Sequence, residues 1–595
     1  MRAATAGQGR ATLVAHPTRR DWFAIPPAWT PEVSPAPSVQ LDGRWGPLVH
    51  RSHLPMLAQQ HPDVSIFLSS YGSLQRLDSD RDSDRAAFDA ATDANGWKLR
   101  GYQHDGRDFI RNRRGTLLAD QMRLGKTAQL VAAHEPDDGP LIVVAPLATR
   151  EVWLGWFRRR WPDIRPMVLQ GKSVAYLNPK TKKPSTRRKD RGYDLLEGDY
   201  FDEAMLKNAQ LVFMNYDILA GWKNFGNRRI GTLIFDEIHL LSNKTSHRSK
   251  AALYMSTAAN RVIGATGTPV WNKPAGLYTT LAAICPGAWG KYYEYATRYA
   301  AGRMGAHGFV ADGASHEEEF RLRMQEVMIR RTWQGVIGQV PPITRTVEVV
   351  EITERQAFAV EKEAERVRDH AHKSTVIGAT ARFRRLLAQL KLEGSIDAAK
   401  RVLDGGERVI VWTWHRDIAL KIEEALAKLG YPGFVISGGT HVDIREPIFN
   451  RWRAHPCSPL CITLSVGQVG IDLSAARQEV FAELDYTPAI VAQAEMRPFN
   501  GIQPVAATYV IIDHDIERKI LEALQTKCEL AFRMGVPAAE SAIDVIASGF
   551  TGIGGGDLTP DDLDALASAV LADHPEDEDD NDYHGTLWNF DWEKE

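Results

Sequence analysis

From Leu99 onward the chain alternates short apolar runs with longer stretches whose apolar residues recur at helical spacing. The runs TLLAD (116–120), LIVVAPL (141–147), AQLVFMNYD (209–217), IGTLIFDEI (230–238) and ANRVIGATG (259–267) are too short for helices. They also lack the strict polar alternation of a strand with one wet face, so they predict strands buried on both sides. Helix-length stretches separate them, which is the βα repetition of a parallel sheet. A mainly helical segment follows, with AGLYTTLAAICPG, EEEFRLRMQEVMIRRT and ATARFRRLLAQLKLEG. A second series then begins: RVIVWTW, the helix DIALKIEEALAKLG, GFVISGG, PLCITLS, QEVFAEL and ATYVIIDHD. The pattern predicts an α/β chain with two parallel-sheet domains joined by a helical connector. The expected division is an accessory region at 1–95, a first domain at 96–275, a connector and hinge at 276–400, a second domain at 401–530, and a C-terminal helix with an acidic tail at 531–595.

The ends differ in character. Residues 1–95 are rich in Pro, Trp and Asp, with a strand-like VSIFL at 64–68, and read as a small module or a loosely packed arm. Near the other end, TPDDLDALASAVLADHP (559–575) has a Thr cap, Pro at the first helical position and Pro beyond the last turn, the signature of a terminal helix. The acidic tail spans 573–595. With 72 Lys and Arg against 75 Asp and Glu, the formal charge of the 595 residues is −3. The distribution carries more than the sum, because an acidic tail cancels a basic groove in the total. The four cysteines, Cys285, Cys457, Cys461 and Cys528, have no zinc-site spacing and read as buried thiols of a reducing compartment. No run approaches the twenty apolar residues of a membrane span. The expectation is a soluble intracellular protein without a membrane partner, cytoplasmic or nucleoid-associated in a prokaryote or virus and nuclear in a eukaryote.

Candidate chemistry changes the picture most. After the first buried strand comes DQMRLGKTAQLVAA (120–133). In a strand-to-helix turn of this kind, Gly125 permits close approach of phosphate, the helix start faces the anion, Lys126 reaches the terminal phosphates, and the Thr127 hydroxyl ligates Mg²⁺. The strand in TLIFDEIHLLSN (232–243) ends in two acids. There Asp236 is placed to hold Mg²⁺ and Glu237 to polarise an attacking water, with His239 expected to couple the site to the other domain. The pair predicts a nucleoside triphosphatase that uses Mg²⁺. The basic run KTKKPSTRRKDR (180–191) reads as a solvated loop, a duplex-contacting insert or an import signal. Trp153 and Trp156 read as helix packing, while Arg158 to Arg160 are candidates for a phosphate contact.

In order, these motifs resemble superfamily 2 helicases, specifically the Snf-type chromatin-remodeller translocases and their annealing-helicase relatives. LRGYQ (99–103) is similar to the family's nucleotide-sensing segment, with Gln103 in the adenine-recognising place. ATGTPVWNKPAGLY (265–278), with Thr266, Thr268 and Pro269, resembles its coupling motif, and Arg330, Arg331 and the prolines at 341–342 its basic hinge. LSVGQVGIDLSAA (464–476), containing Gly470 and Asp472, resembles the motif touching nucleotide and DNA, and QAEMRPFNGIQ (493–503) the arginine-finger segment, which makes Arg497 the candidate finger. The resemblance implies two RecA-like lobes closing on ATP. It also implies translocation or remodelling on duplex or branched DNA without sequence specificity. The acidic tail reads on its own composition as solvating sequence, as a competitor of DNA for a basic surface, or as a site that recruits a protein partner for repair. Two positions depart from the family pattern: Arg123 stands where glycine is usual, and Asn500 where a second arginine is usual. A left-handed backbone at Arg123 would be unusual. For Asn500 three accounts stay open: Arg497 suffices, another second-lobe arginine substitutes, or the protein is a weak ATPase acting as a nucleotide-regulated DNA-binding scaffold. An RNA-directed helicase is the rival enzymatic reading.

Overall fold

The computed structural model describes residues 14–15, 22–24, 36–41, 44–60, 85–90, 92, 96–169, 208–222, 230–267, 274–305, 308–338, 341–370, 376–467 and 471–533. The run VSIFL, the basic run, Thr268, Pro269, Gly470, the terminal helix and the acidic tail lie outside them. Strands β1 (Val14–Ala15), β2 (Trp22–Ala24), β3 (Ala36–Leu41) and β4 (Arg44–His50) form an antiparallel sheet in the order β1-β2-β4-β3. Strands β5 (Gly115–Leu118), β6 (Leu141–Val144), β7 (Met167–Val168), β8 (Leu211–Met214), β9 (Ile230–Asp236) and β10 (Ala259–Ala265) carry the first lobe, and β11 (Arg303–Gly305) with β12 (Gly308–Val310) makes a hairpin beside it. The second lobe is built on β14 (Ile343–Val350), β15 (Val409–Thr413), β16 (Phe434–Ile436), β17 (Pro459–Thr463), β18 (Gln478–Phe481) and β19 (Val505–Ile512), with β13 (Met328–Ile329) preceding them.

Both large sheets are parallel throughout their described pairings, in the orders β13-β5-β10-β9-β6-β8-β7 and β14-β19-β18-β15-β17-β16. This is the architecture of two RecA-like lobes flanked by helices. Alternate residues of each strand feed opposite faces, as the strand period of two requires. In the first lobe Leu117, Ile142, Val144, Val212 and Phe235 enter one core while Leu118, Leu141, Val143, Leu211 and Ile234 enter the other. In the second, Ile410, Trp412, Ile462 and Tyr509 lie opposite Val409, Val411, Cys461 and Val510. Each such buried aliphatic side chain contributes about 1.5–3 kcal/mol of transfer free energy, which explains why the strands are apolar on both faces. Among the described residues no helix is long and apolar enough to cross a membrane.

The segment 276–400 is less purely helical than its pattern predicts. It contains β13, which pairs with β5 through Met328↔Leu117, and β14, which pairs with β19 along its whole length. The first sheet therefore gains its last strand, and the second its edge strand, inside the stretch expected to be a connector. Only the stretch between these two strands, including the helix Trp333–Ile337, passes from one lobe to the other. The amino-terminal sheet is attached to the first lobe just upstream of that passage. Arg51 Nε donates to Glu326 Oε2 at 2.6 Å. Arg323, stacked 3.8 Å over Trp289, donates through Nη2 to Ser52 Oγ at 3.2 Å and to the Ala288 carbonyl at 2.6 Å.

Behind the first sheet, His134 packs against Trp161, with Thr232 Oγ1 3.1 Å from its Nδ1. Burial, only partly offset by Asp138, brings its pKa down to about 4. The unfolded chain protonates His134 near 6.5, so it binds the proton first as pH falls and stability drops between 6.5 and 4. The expected loss is about 2 kcal/mol at pH 5. Urea unfolding of wild type and His134→Gln from pH 7.5 to 4.5 checks this: the variant should show a flatter profile across that window.

Candidate active site between the lobes

The phosphate loop starts where β5 ends. Asp120, fully buried, receives Arg331 through its backbone N (3.1 Å) and Nε (2.9 Å) on Oδ1, and through Nη2 (2.5 Å) on Oδ2. Gln129 adds a bond from Nε2 to Oδ2 at 3.0 Å. The packing leaves no room at Gly106, where a Cβ would stand 1.8 Å from Gln129 Oε1. The hinge arginine is thus locked beneath the loop, and its neighbour Arg330 donates to the carbonyls of Ala119 (3.0 Å) and Gly267 (3.3 Å).

Within the loop, Arg123 has φ 65 and Gly125 has φ 75. The left-handed conformation does occur at Arg123, at a cost of about 1–2 kcal/mol for a residue with a Cβ. Gln103 spans from the first turn of its helix to the loop, accepting from Arg100 N at 2.9 Å and donating to the Leu124 carbonyl at 3.1 Å. Lys126 opens the helix Lys126–Ala132 and donates from Nζ to the Asp120 carbonyl at 3.0 Å. Burial lowers its pKa, against the pull of Glu237, Asp120 and Asp236. Thr127, the next residue, is half-buried at the helix start.

The two acids at the end of β9 have different surroundings. Asp236 accepts from Trp153 Nε1 at 2.9 Å and from Glu237 N at 3.1 Å. Burial and the Glu237 charge raise it to about 6. Glu237, at φ 53, is pushed up by burial but pulled further down by the His239 imidazole and by the Lys126 and Arg497 cations, so it stays below the usual carboxylate range. His239 Nδ1 lies 3.3 Å from Glu237 Oε2 and 2.9 Å from Thr266 Oγ1. His239, expected to couple the site to the other domain, links two residues of the first lobe.

Arg497 comes from the second lobe, just after the helix Pro488–Glu495. That helix is anchored by Glu495, which accepts from Arg345 Nε at 2.6 Å and Tyr509 Oη at 2.6 Å. Arg497 Nε donates to the Gly467 carbonyl at 2.6 Å, and its buried Nη2 has no hydrogen-bond partner among the described residues. Burial lowers its pKa to about 10, with Glu237 opposing. The apolar surface around it joins the lobes: Met122 and Leu124 of the phosphate loop pack with Trp333, Met496, Phe499 and Val505. Trp333 also donates from Nε1 to the Met122 carbonyl at 2.9 Å. Asp472, mostly exposed, accepts from Arg123 Nη2 at 2.9 Å. Asn500 turns back on its own chain, its Oδ1 accepting from Ile502 N (2.9 Å) and Gln503 N (3.1 Å).

The structure thus brings Lys126, Asp236, Glu237 and Arg497 together between the lobes, with Thr127 next to Lys126 in the chain. Among the residues outside that prediction, Trp153 holds Asp236, Asp120 holds Arg331, and Trp333 spans both lobes. Trp153 carried a legible signal, since a buried indole N–H needs an acceptor. Arg160 is committed to Glu135 at 2.7 Å, whereas Arg158 and Arg159 are exposed. Cys285, Cys461 and Cys528 are buried and Cys457 half-buried, all as free thiols. Among the described residues no cluster of three or more His, Cys, Asp or Glu has metal-holding geometry. A hydroxyl and one carboxylate nevertheless fit Mg²⁺, which takes few protein ligands when phosphates complete its shell. The unpaired Nη2 of Arg497 and the Lys126 ammonium fit a polyanion between them.

Comparison with known proteins gives the same order of parts. The SNF2-related domain matches residues 60–393 and the helicase conserved C-terminal domain residues 394–499. The SWI/SNF-related matrix-associated actin-dependent regulator of chromatin subfamily A-like protein 1 of Xenopus tropicalis is 31% identical over 412 residues, covering 68% of this chain and 41% of that protein. The DNA annealing helicase and endonuclease ZRANB3 of Mus musculus is 28% identical over 454 residues, covering 73% and 40%. The chain therefore spans about two-fifths of the length of these relatives. Among solved structures, the Sulfolobus solfataricus SWI2/SNF2 ATPase core in complex with dsDNA aligns over 76% of this chain and 94% of its own, at 19% identity and a TM-score of 0.34. With the family match extending through the phosphate loop, the paired acids and the hinge, and the helicase C-terminal match ending just past Arg497, the chain belongs to the SNF2-related family of superfamily 2 helicase-type ATPases.

Proposed function

We propose that this protein couples ATP hydrolysis to movement on duplex or branched DNA, without reading sequence. The observation that carries the catalytic half is the meeting of Lys126 and Glu237 from the first lobe with a buried, incompletely paired arginine, Arg497, from the second. Lys126 and the loop amides bind the triphosphate. Glu237, kept ionised by its cationic neighbours, orients and deprotonates the attacking water. Arg497 meets charge developing on the transferred phosphoryl group, and does so only when the lobes are together, so hydrolysis is gated by their relative position. Thr127 and Asp236 would hold Mg²⁺, which would supply positive charge to offset that of the phosphates. The DNA half rests on family membership and on relatives whose names specify chromatin and DNA annealing. A second reading, a slowly hydrolysing nucleotide-regulated scaffold, draws on Asn500, whose amide oxygen is engaged in its own turn.

Steady-state hydrolysis by the full chain with no nucleic acid, single-stranded DNA, duplex DNA, forked DNA or RNA separates these readings. Duplex or forked DNA should raise the rate, and Glu237→Gln should lower the stimulated rate by about a hundredfold or more, the scale of removing a catalytic base. Preferential stimulation by RNA would favour an RNA-directed enzyme. Equal rates for wild type and Glu237→Gln under every condition would leave the scaffold.

A further inference from the structure

Arg123 is the phosphate-loop residue that least fits its local geometry. It holds a left-handed backbone at φ 65, which glycine would adopt freely. Its side chain then leaves its own lobe. Nη2 lies 2.9 Å from Asp472 Oδ1 and donates as well to the backbone carbonyl of Arg497. On either side of Arg123, Met122 and Leu124 enter the apolar cluster with Trp333, Met496 and Phe499. The loop that should cradle phosphate is thus also the surface on which the second lobe rests, with one polar contact between two apolar ones. Meanwhile Asn500, at the place of a second arginine, is occupied by the backbone amides of Ile502 and Gln503.

We propose that Arg123 is a positioning residue for hydrolysis: by gripping the Arg497 carbonyl and Asp472 it docks the phosphate loop on the second lobe and sets the Arg497 guanidinium over the cleft. Two consequences distinguish this from an idle surface ion pair, which contributes little. Arg123 acts through the backbone of the residue that contacts phosphate, so its loss changes turnover more than substrate binding. It also bridges the lobes before nucleotide arrives, so its loss changes their separation in the nucleotide-free protein.

This inference rests on reading the cleft as an ATP-hydrolysing site, and the experiment separates the two. The full chain, carrying one dye on each lobe, is compared as wild type, Arg123→Gly, Arg123→Lys, Asp472→Asn, the double variant Arg123→Gly with Asp472→Asn, and Glu237→Gln. Glycine relieves the backbone strain, so Arg123→Gly should fold and melt at or above the wild-type temperature. The expected result is a loss of about tenfold in kcat with KM for ATP changed less than about twofold, the scale of one charge-assisted hydrogen bond. The nucleotide-free dye separation should lengthen, and Arg123→Lys should recover part of both losses. Asp472→Asn should lengthen the nucleotide-free dye separation less than Arg123→Gly does, and should lengthen it no further in the Arg123→Gly background. An unchanged kcat and dye separation in Arg123→Gly would overturn the proposal. A raised KM with unchanged kcat would also overturn it, by making Arg123 a nucleotide contact of its own lobe. If Glu237→Gln hydrolyses ATP like wild type, the catalytic reading fails and the dye separation alone decides whether Arg123 docks the lobes.

Discussion

Arg497→Ala should lower the maximal rate of nucleic-acid-stimulated ATP hydrolysis by about a thousandfold, the lower end of what an arginine finger supplies. Three features set this expectation. Arg497 is buried and close enough to Glu237 for that carboxylate to oppose the burial-driven fall in its pKa. Its buried Nη2 has no hydrogen-bond partner among the described residues, whereas most buried polar side-chain atoms have at least one. It also sits on a segment fixed from behind by the Arg345–Glu495 pair and in front by Phe499 against Trp333. The loss should fall on kcat, with KM for ATP changed by less than about threefold, because the interaction is made in the transition state. Arg497→Lys should recover little, since an ammonium cannot reproduce the planar fork that holds the Gly467 carbonyl and leaves Nη2 for a phosphate oxygen. Measurement of kcat and KM in the presence of saturating duplex DNA checks both. A fall of less than tenfold in Arg497→Ala would mean that hydrolysis draws its positive charge from elsewhere.

The second large effect concerns stability. Asp120→Ala should destabilise the first lobe by about 3 kcal/mol, because it leaves the mostly buried Arg331 guanidinium without its fully buried carboxylate. Gln129 and the Tyr102 carbonyl remain beside Arg331 but carry no compensating charge. Replacing both partners with apolar residues of similar volume, Asp120→Leu with Arg331→Met, should cost less than either single change, since no uncompensated charge is left behind. Urea denaturation followed by a probe on the first lobe reads this as a shift in the midpoint of its transition. Equal destabilisation in the single and double variants would show that packing, not charge, holds the hinge to the loop.

Much of the fold was legible because parallel strands buried on both faces have a plain signature. Each of the ten apolar runs lies on a strand of one of the two large sheets. The strands that escaped notice did so for identifiable reasons. β7 and β13 are two residues each, too short to show a period. β14, ITRTVEVV, breaks up its apolar residues with Thr344, Arg345, Thr346 and Glu348, as a sheet edge paired on one side only among the described residues allows. The candidate site divides in the same way. Lys126, Asp236, Glu237 and Arg497 could be named from local motifs, each the end of a strand or the start of a turn. The contacts that hold them could not: Trp153 to Asp236, Arg331 to Asp120 and Arg123 to Asp472 join residues 83, 211 and 349 positions apart. Local periodicity carries no information at such separations. Arg123 shows the limit best, since its chain position marks it as out of place and only the folded cleft shows where its side chain goes.

The position of β14 also bears on how this chain is made. On a ribosome, Ile343–Val350 emerges soon after the first lobe has received β13 and can close its sheet. Its only sheet neighbour among the described residues, β19, arrives much later, as the Thr346–Thr508 side-chain pair with its separation of 162 residues makes plain. Throughout that interval the nascent chain carries a strand with no partner, next to a lobe that is already folded, and unpaired edges of this kind invite pairing with other chains. The Arg345 and Glu348 charges within it oppose such pairing. Translation paused between β14 and β19 is therefore the stage at which a strand-capturing chaperone would matter most.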